Sequence, residues 1–587
     1  MSIPKRRATA YRIAGVALLL SLLFGQMATS SRRKSAAFDE TYHLVSGYAY
    51  LHTGDPRLSW EHPPVPQALA ALPLIRRADL APFPTEHPGW HEGNAEALVD
   101  DYLWVDNAAR APDLIWVGRM PLMLLTVAFG LALFLALRTC VGEPAAWIGL
   151  TLFALDPNII ANGRLIGNDL AIAGFIFLAV WGLGVYLREP SAHRLILTGV
   201  MAGLAAGSKA TAALIIPIFF LLALIVPEEG RENRPTWAGF GRRLLAMMGM
   251  AGVAAITLWA IFGFEIGPLT PGGLPIPAPT YVGGLPRMMQ RIARGTPTHL
   301  LGRTSDTGWW YYFSLTFLLK TPLPTLILLA SGIAHAVRRP RETAIWWLPA
   351  LVYLLAASAS TLQIGYRYIL PVLFFALALA ASQFRRWPRA RWQRLGLGML
   401  GLWLITNAAW TYPHHLSYAN EAVGGPRQSW RHFADMNVDW GMDLIALREY
   451  EAAHLDLNGE LNLAYFGSAY PSAYGVAARL LPSFSRALAG PIYHAYNAHT
   501  PPPGVYAISA TSLHLGLLYE GQDMYAYFRA REPDARVGGS ILIYRVDYPP
   551  EMPVDRTVVI GPEVWRLSPE ALGWQPGHRL IAKWGAA

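Results

Sequence analysis

The sequence predicts an α-helical polytopic membrane protein with about eleven transmembrane helices of ~20 residues each, followed by a small C-terminal mixed α/β domain. Three observations carry this. Only 15% of the 587 residues are charged and 53% are apolar, against roughly 25% charged in an average soluble domain. Apolar runs of spanning length recur along the chain, separated by short arginine-rich loops. Beyond Thr411 the runs give way to Pro- and Gly-interrupted sequence with strand-like stretches at Leu461–Phe466, Val505–Ser509 and Ile541–Val546.

The apolar runs centre near residues 20, 126, 151, 178, 200, 217, 253, 322, 353, 375 and 402. The first, from Ile13 to Ala28, follows Lys5-Arg6-Arg7 and has the outline of a signal peptide. It reads as an uncleaved helix because further spans follow it. The run from Leu195 to Val226 holds Gly207-Ser208-Lys209. At ~1.5 Å per residue it is too long for one upright helix and short for two. Two short helices with Lys209 near the turn satisfy the charges. With the N-terminus inside, the inner loops then carry Arg138, Arg188 and Arg194, followed by Arg231, Arg234, Arg242 and Arg243. Arg338, Arg339, Arg341 and the arginines from 385 to 394 complete them. Residues 1–410 form the membrane module, with large outer loops at 31–114 and 264–310, and 411–587 form the outer domain. Arg32-Arg33-Lys34 runs against the positive-inside bias.

The net charge of +9 is thereby assigned to topology and anionic lipid headgroups rather than to nucleic acid. The single Cys140 excludes an intrachain disulfide and a Cys-rich metal site. A phosphate-binding Walker loop, a dinucleotide fingerprint and an HExxH helix are all absent, so ATP-driven transport has no support.

The candidate chemistry gathers on the outer side. Asp39-Glu40 follows the first helix; one carboxylate could serve as a base while the other binds or orients, or Asp39 could simply cap a helix from Glu40 to Leu51. Glu61-His62, ahead of Pro63-Pro64, could contact a sugar or ligate a divalent metal, or form a rigid turn. Between the third and fourth spans lie Asp156-Pro157, read as a helix-ending turn, Arg164, and Asn168-Asp169, where Asp169 reads as functional. Arg119, Lys209, Arg303 and Arg367 are outer-side cations; each alone could snorkel, but several beside carboxylates suit a phosphate.

Together Asp39-Glu40, Glu61-His62-Pro63-Pro64, Asn162-Gly163-Arg164…Asp169 and Gly365-Tyr366-Arg367-Tyr368 resemble the GT-C glycosyltransferases. The likeness is to the branch of protein O-mannosyltransferases and lipid A aminoarabinose transferases. The tail segments Tyr412–Glu421 and Asn437–Leu444 are similar to bacterial members, with Met442 where a Gln is usual and Asn168 where Thr is common. The resemblance implies an inverting transfer from a polyprenyl-phosphate-linked sugar donor to a protein, lipid or glycan acceptor, on the outer face of the inner membrane. Asp39 would be the general base and Glu40 its support. Glu61, His62, Asp169, Arg164 and Lys209 would line the site, with a metal, if any, near Glu61. Arg119 and Arg367 would meet the carrier phosphate. The competing reading is a transporter or flippase of a lipid-linked sugar; such proteins place ionisable groups at the bilayer midplane and carry repeats, and this chain shows neither pattern.

Overall fold

The breaks between helices, more than the helices themselves, set this architecture. In the computed structural model the described residues are 5–93, 95–226, 237–454, 461–482, 496–516, 523–560 and 567–585. Among them, four helices are long and apolar enough to cross a membrane: Thr9–Ser31, Ala111–Cys140, Asp169–Arg188 and Gly239–Ile261. Two bent pairs reach that length only together, Glu143–Leu155 with Pro157–Gly163 at 62°, and Tyr312–Lys320 with Leu323–Arg338 at 118°. Further apolar helices are shorter, including Ala192–Ala206, Ala344–Ser358 and Tyr366–Ser382. The chain is a multi-pass, mainly helical membrane protein; the expected centre near 322 falls on a bend, those near 217 and 402 on Ile215–Ile225 and Arg391–Thr411, and the others on the helices just named.

Each break has a local cause. Asp156 ends one helix and caps the next, its Oδ1 accepting from the Asn158 and Ile159 amides at 2.8 and 3.2 Å, with Pro157 in the first turn. Pro322 sits at the second bend, where it cannot continue the preceding helix. The 195–226 run divides as the loop charges indicated, with Lys209 between the Ala192–Ala206 helix and the turn Ala210–Leu214 that leads into Ile215–Ile225.

The centre of the bundle is Leu370–Ser382, buried at every residue. It is apolar all round, as a helix surrounded by others must be. Phe374 meets the rings of Phe129, Phe153 and Phe177 at centroid distances of 6.2, 5.2 and 6.0 Å. Of the expected inner arginines, Arg243 is buried and donates to the carbonyls of Ala223 and Val226, both at 2.7 Å, closing the end of the Ile215–Ile225 helix. Arg231 and Arg234 lie outside the described residues.

The 31–114 loop folds against the bundle and the tail together. Its Glu40–Thr53 helix lies so close to Val65–Ala71 that a Cβ on Gly47 would fall 2.0 Å from the Gln67 carbonyl oxygen. Leu44, Val45 and Ala49 of that helix share one hydrophobic core with Leu444, Leu447, Leu461 and Leu463 of the tail. The three expected strands appear as Leu461–Ala464, Gly504–Ser509 and Ile541–Val546, consecutive neighbours in a five-stranded sheet edged by Arg479–Leu480 and Ala535–Val537. The first pairing among them is parallel and the second antiparallel. A separate parallel pair joins Val554–Ile560 to Arg579–Gly585.

The cationic cluster that opposes the charge bias is accounted for by its partners. Arg32 lies over Trp116 at 4.3 Å and Arg33 over Tyr412 at 5.9 Å, while Lys34 is buried in an ion pair with Asp443 of the tail. Next to it, Glu40 and Arg119 form a pair with side chains 0% and 1% exposed. Arg119 Nε donates to Glu40 Oε1 at 2.8 Å, Nη2 donates to Oε2, and the remaining guanidinium protons reach the carbonyls of Ser31, Lys34 and Ser35. The amides of Ala37 and Ile166 complete the carboxylate at 2.7 and 2.9 Å. Replacing one member strands the other charge, at a cost of about 3–5 kcal/mol. Arg119→Met is therefore expected to lower the unfolding temperature of the purified protein sharply, measured in detergent, whereas Arg33→Met, at the bundle surface, is expected to change it little.

Candidate functional site

A cavity of about 600 Å³ opens where the 31–114 loop, the ends of the spanning helices and the tail meet. That volume lies in the range of small-ligand sites. Asp39, Glu61, His62, Lys209 and Arg367 all line it. They are far apart in sequence, and each is delivered by an interruption in regular structure. Asp39 occupies the N-cap position of Glu40–Thr53 without using its side chain as a cap, so the carboxylate is free to turn into the cavity. Glu61-His62 follows the short turn Arg57–Ser59. Lys209 stands at the break in the 195–226 run, and Arg367 lies on the turn Tyr366–Ile369 ahead of the central helix.

The charges form a chain. Arg367 Nη1 donates to Asp39 Oδ2 at 2.9 Å and lies 3.2 Å from Asp169 Oδ2. Lys209 Nζ donates to the other oxygen of Asp169 at 2.5 Å. Asp169 starts its helix, where the positive end of the helix dipole favours a carboxylate. Aromatic faces back both cations: Tyr368 lies 3.9 Å from Lys209 Nζ, and Trp440 lies 4.6 Å from the Arg367 guanidinium carbon.

Burial pushes the Asp39 carboxyl upward, yet Arg367, His43 and His62 outweigh it and hold the group down at about 2, against an ordinary 3.8. Burial also lowers both histidines, His43 to about 4 and His62 well below its ordinary range. Both are then neutral near pH 7, so Arg367 is the cation that acts on Asp39 there. Asn168 Nδ2 donates to His62 Nδ1 at 3.0 Å, which leaves the proton of the neutral ring on Nε2.

Several expected site residues lie elsewhere. Glu40 and Arg119 are spent on each other beneath the loop and form no part of the cavity wall, so Arg119 has no donor left for a phosphate and Glu40 cannot touch a substrate. Asp169 sits one layer behind the wall, where it holds Lys209 and Arg367. Arg164 is buried away from the cavity, donating to the Pro413 carbonyl at 3.3 Å. Arg303 is exposed on a short strand, also outside the cavity. Glu61 is taken up by an ion pair with Arg291. Among the described residues no three His, Cys, Asp or Glu side chains come together to hold a metal; with Glu61 paired to a guanidinium and His62 Nδ1 bonded to Asn168, the donors present do not fit one.

The sequence reading missed the wall built by Pro279–Arg294. This helix brings Arg287 over Trp60 at 5.2 Å and Arg291 onto Glu61. The i, i+4 spacing of the two arginines was the available signal, obscured by Pro279 and Pro286 in a segment read as a loop. The lining also includes Glu92, Glu96 and Asp100. Burial, with Glu96 and Asp101 nearby, pushes Asp100 up to about 7.

The contact between Arg367 and Asp39 sets a pH dependence. A depressed carboxyl stabilises the fold fully above its ordinary 3.8 and loses that contribution as pH falls toward 2. Arg367→Gln removes the largest of the influences that oppose burial, so Asp39 is expected to titrate higher than about 2 and its contribution to be lost at a higher pH. Infrared titration of the carboxyl band absent from Asp39→Asn measures the shift directly.

Comparison with known proteins adds a family. Residues 111–259 match the family model described as dolichyl-phosphate-mannose-protein mannosyltransferase. No curated protein matches the chain. Among solved structures, ArnT from Cupriavidus metallidurans in the apo state is similar at a TM-score of 0.45 and 13% identity, over 92% of this chain and 98% of that one. The same protein bound to undecaprenyl phosphate is similar at a TM-score of 0.45 and 13% identity, over 91% and 98%. The matched stretch holds the spanning helices Ala111–Cys140 and Asp169–Arg188, and over it the chain is similar to that family of membrane mannosyltransferases.

Proposed function

We propose that this protein transfers a sugar from a polyprenyl-phosphate donor to an acceptor hydroxyl or amine, with inversion, at the cavity between the loop and the tail. One observation carries the reading: a carboxylate, Asp39, and two cations, Lys209 and Arg367, face the same cavity at the ends of apolar helices. A base and a phosphate-sized cationic pair are what such a displacement requires. The matched family model, with its dolichyl-phosphate-mannose donor and protein acceptor, supports the donor class. The charge bias of the loops supports a cavity on the extracytoplasmic side of the inner membrane.

In the step itself, Asp39 takes the acceptor proton as the acceptor attacks the anomeric carbon. The bond from that carbon to the phosphate oxygen breaks on the opposite face, and the electron pair leaves with the carrier phosphate. A single in-line displacement inverts the centre. Lys209 and Arg367 meet the growing charge on the leaving phosphate. At about 2 Asp39 is a weak base while it is paired. A phosphate that draws Arg367 toward itself weakens that pairing and makes the carboxylate a better proton acceptor. Asp169 keeps both cations aimed.

Asp39→Asn is expected to reduce transfer at least 10²-fold, far more than the lowered unfolding temperature from losing the contact with Arg367 explains, in an assay of purified, folded protein with a polyprenyl-phosphate sugar. Lys209→Ala is expected to raise the donor KM more than it lowers kcat. Full turnover by Asp39→Asn would sink the base assignment.

A further inference from the structure

Trp440 holds the residue before Asp39 and lies against Arg367. Its carbonyl accepts the Phe38 amide at 3.0 Å, which fixes the residue ahead of the base. Its indole ring lies 4.6 Å from the guanidinium carbon of Arg367. Trp440 is 2% exposed and Arg367 is 6% exposed, so neither has solvent in which to wander.

The backbone just after Trp440 is riveted to the same loop. The Ser35 amide donates to the Met442 carbonyl at 3.1 Å, Ser35 Oγ donates to the Gly441 carbonyl at 2.9 Å, and the Leu444 amide donates to Ser35 Oγ at 3.2 Å. Gly441 turns there with φ of +76°, and a Cβ would meet the Gly467 Cα at 2.7 Å. The indole Nε1 is buried and has no hydrogen-bond partner. An unpaired buried donor is a cost that phenylalanine would avoid; what tryptophan offers instead is the strongest aromatic face for a cation.

We propose that Trp440 is a positioning residue for the transfer: through its ring on Arg367 and its carbonyl on Phe38, the tail sets the separation of the base from its cation. This rests on the transferase reading for its consequence, though not for its geometry. Asp39 is also faced by His43 and Tyr42 from its own helix, by His62 from the turn after Ser59, and by Asp435 from the tail. Asp169 and Lys209 act on it through Arg367.

The test compares Trp440→Phe with Trp440→Leu in the full-length protein. Phenylalanine keeps a cation-binding face and the same backbone bond; leucine keeps only apolar bulk. Trp440→Phe is expected to stay within about threefold of the parent, whereas Trp440→Leu loses roughly tenfold or more in kcat. In Trp440→Leu the acid limb of the rate profile and the infrared band of Asp39 are both expected to move to higher pH, because a loosened Arg367 depresses the carboxyl less. A change that merely weakened the fold would lower activity at every pH and leave the band in place. An unshifted Asp39 band in folded Trp440→Leu overturns the proposal, as does equal loss in both variants with no shift. If the band moves as expected while the parent protein transfers no sugar, the positioning stands and the transferase reading is what fails.

Discussion

A carboxylate sealed from water survives as an anion only when every lone pair is met, and Glu40 is such a group. Arg119 grips both of its oxygens, and the amides of Ala37 and Ile166 supply the rest. Those contacts tie the start of the 31–114 loop, the Ala111–Cys140 helix and the connection before Asp169 into one knot. Asp39 is the residue next to that knot. Its position against Arg367 follows from a charge pair that takes no part in the chemistry but fixes the chain from which the chemistry projects.

Around the knot, polar groups are arranged in layers. Asp169 stands behind Lys209 and Arg367 and holds both cations in register. Aromatic faces from Tyr368 and Trp440 lie against them. Such a layered arrangement costs little reorganisation when charge develops in front of it. It also accounts for the breaks in the apolar helices. Lys209 and Arg367 both occupy irregular turns, where a helix end gives a cation room to face a cavity.

Much of this was legible in the sequence. Apolar runs and arginine loops indicated a polytopic bundle, and Gly207-Ser208-Lys209 marked the division of the longest run. Asp39, Glu61, His62, Lys209 and Arg367 were chosen on residue type and placement, and they line one cavity. Glu40, Arg119 and Asp169 were chosen on the same grounds and stand behind the wall. Neighbours in sequence point in different directions on a helix, and a one-dimensional reading does not say which direction faces the cavity. Arg291 and Trp440 went unnoticed for another reason. The first lies on a proline-bearing helix that reads as loop, and the second sits in a motif scanned only for its acids. Arg291 meets Glu61 and Trp440 meets Phe38 across hundreds of residues, and only the fold reveals it.

The shared core of Leu44, Val45, Leu444 and Leu463 changes what counts as a part of this molecule. Sequence suggests a membrane module with an appendage, divisible near residue 410. Packing draws the line elsewhere, grouping the loop after the first helix with the tail and joining them through Lys34 and Asp443, Phe38 and Trp440. For anyone building chimaeras, the loop after the first helix and the tail are one unit drawn from opposite ends of the chain, and they must be exchanged together to keep the core they share.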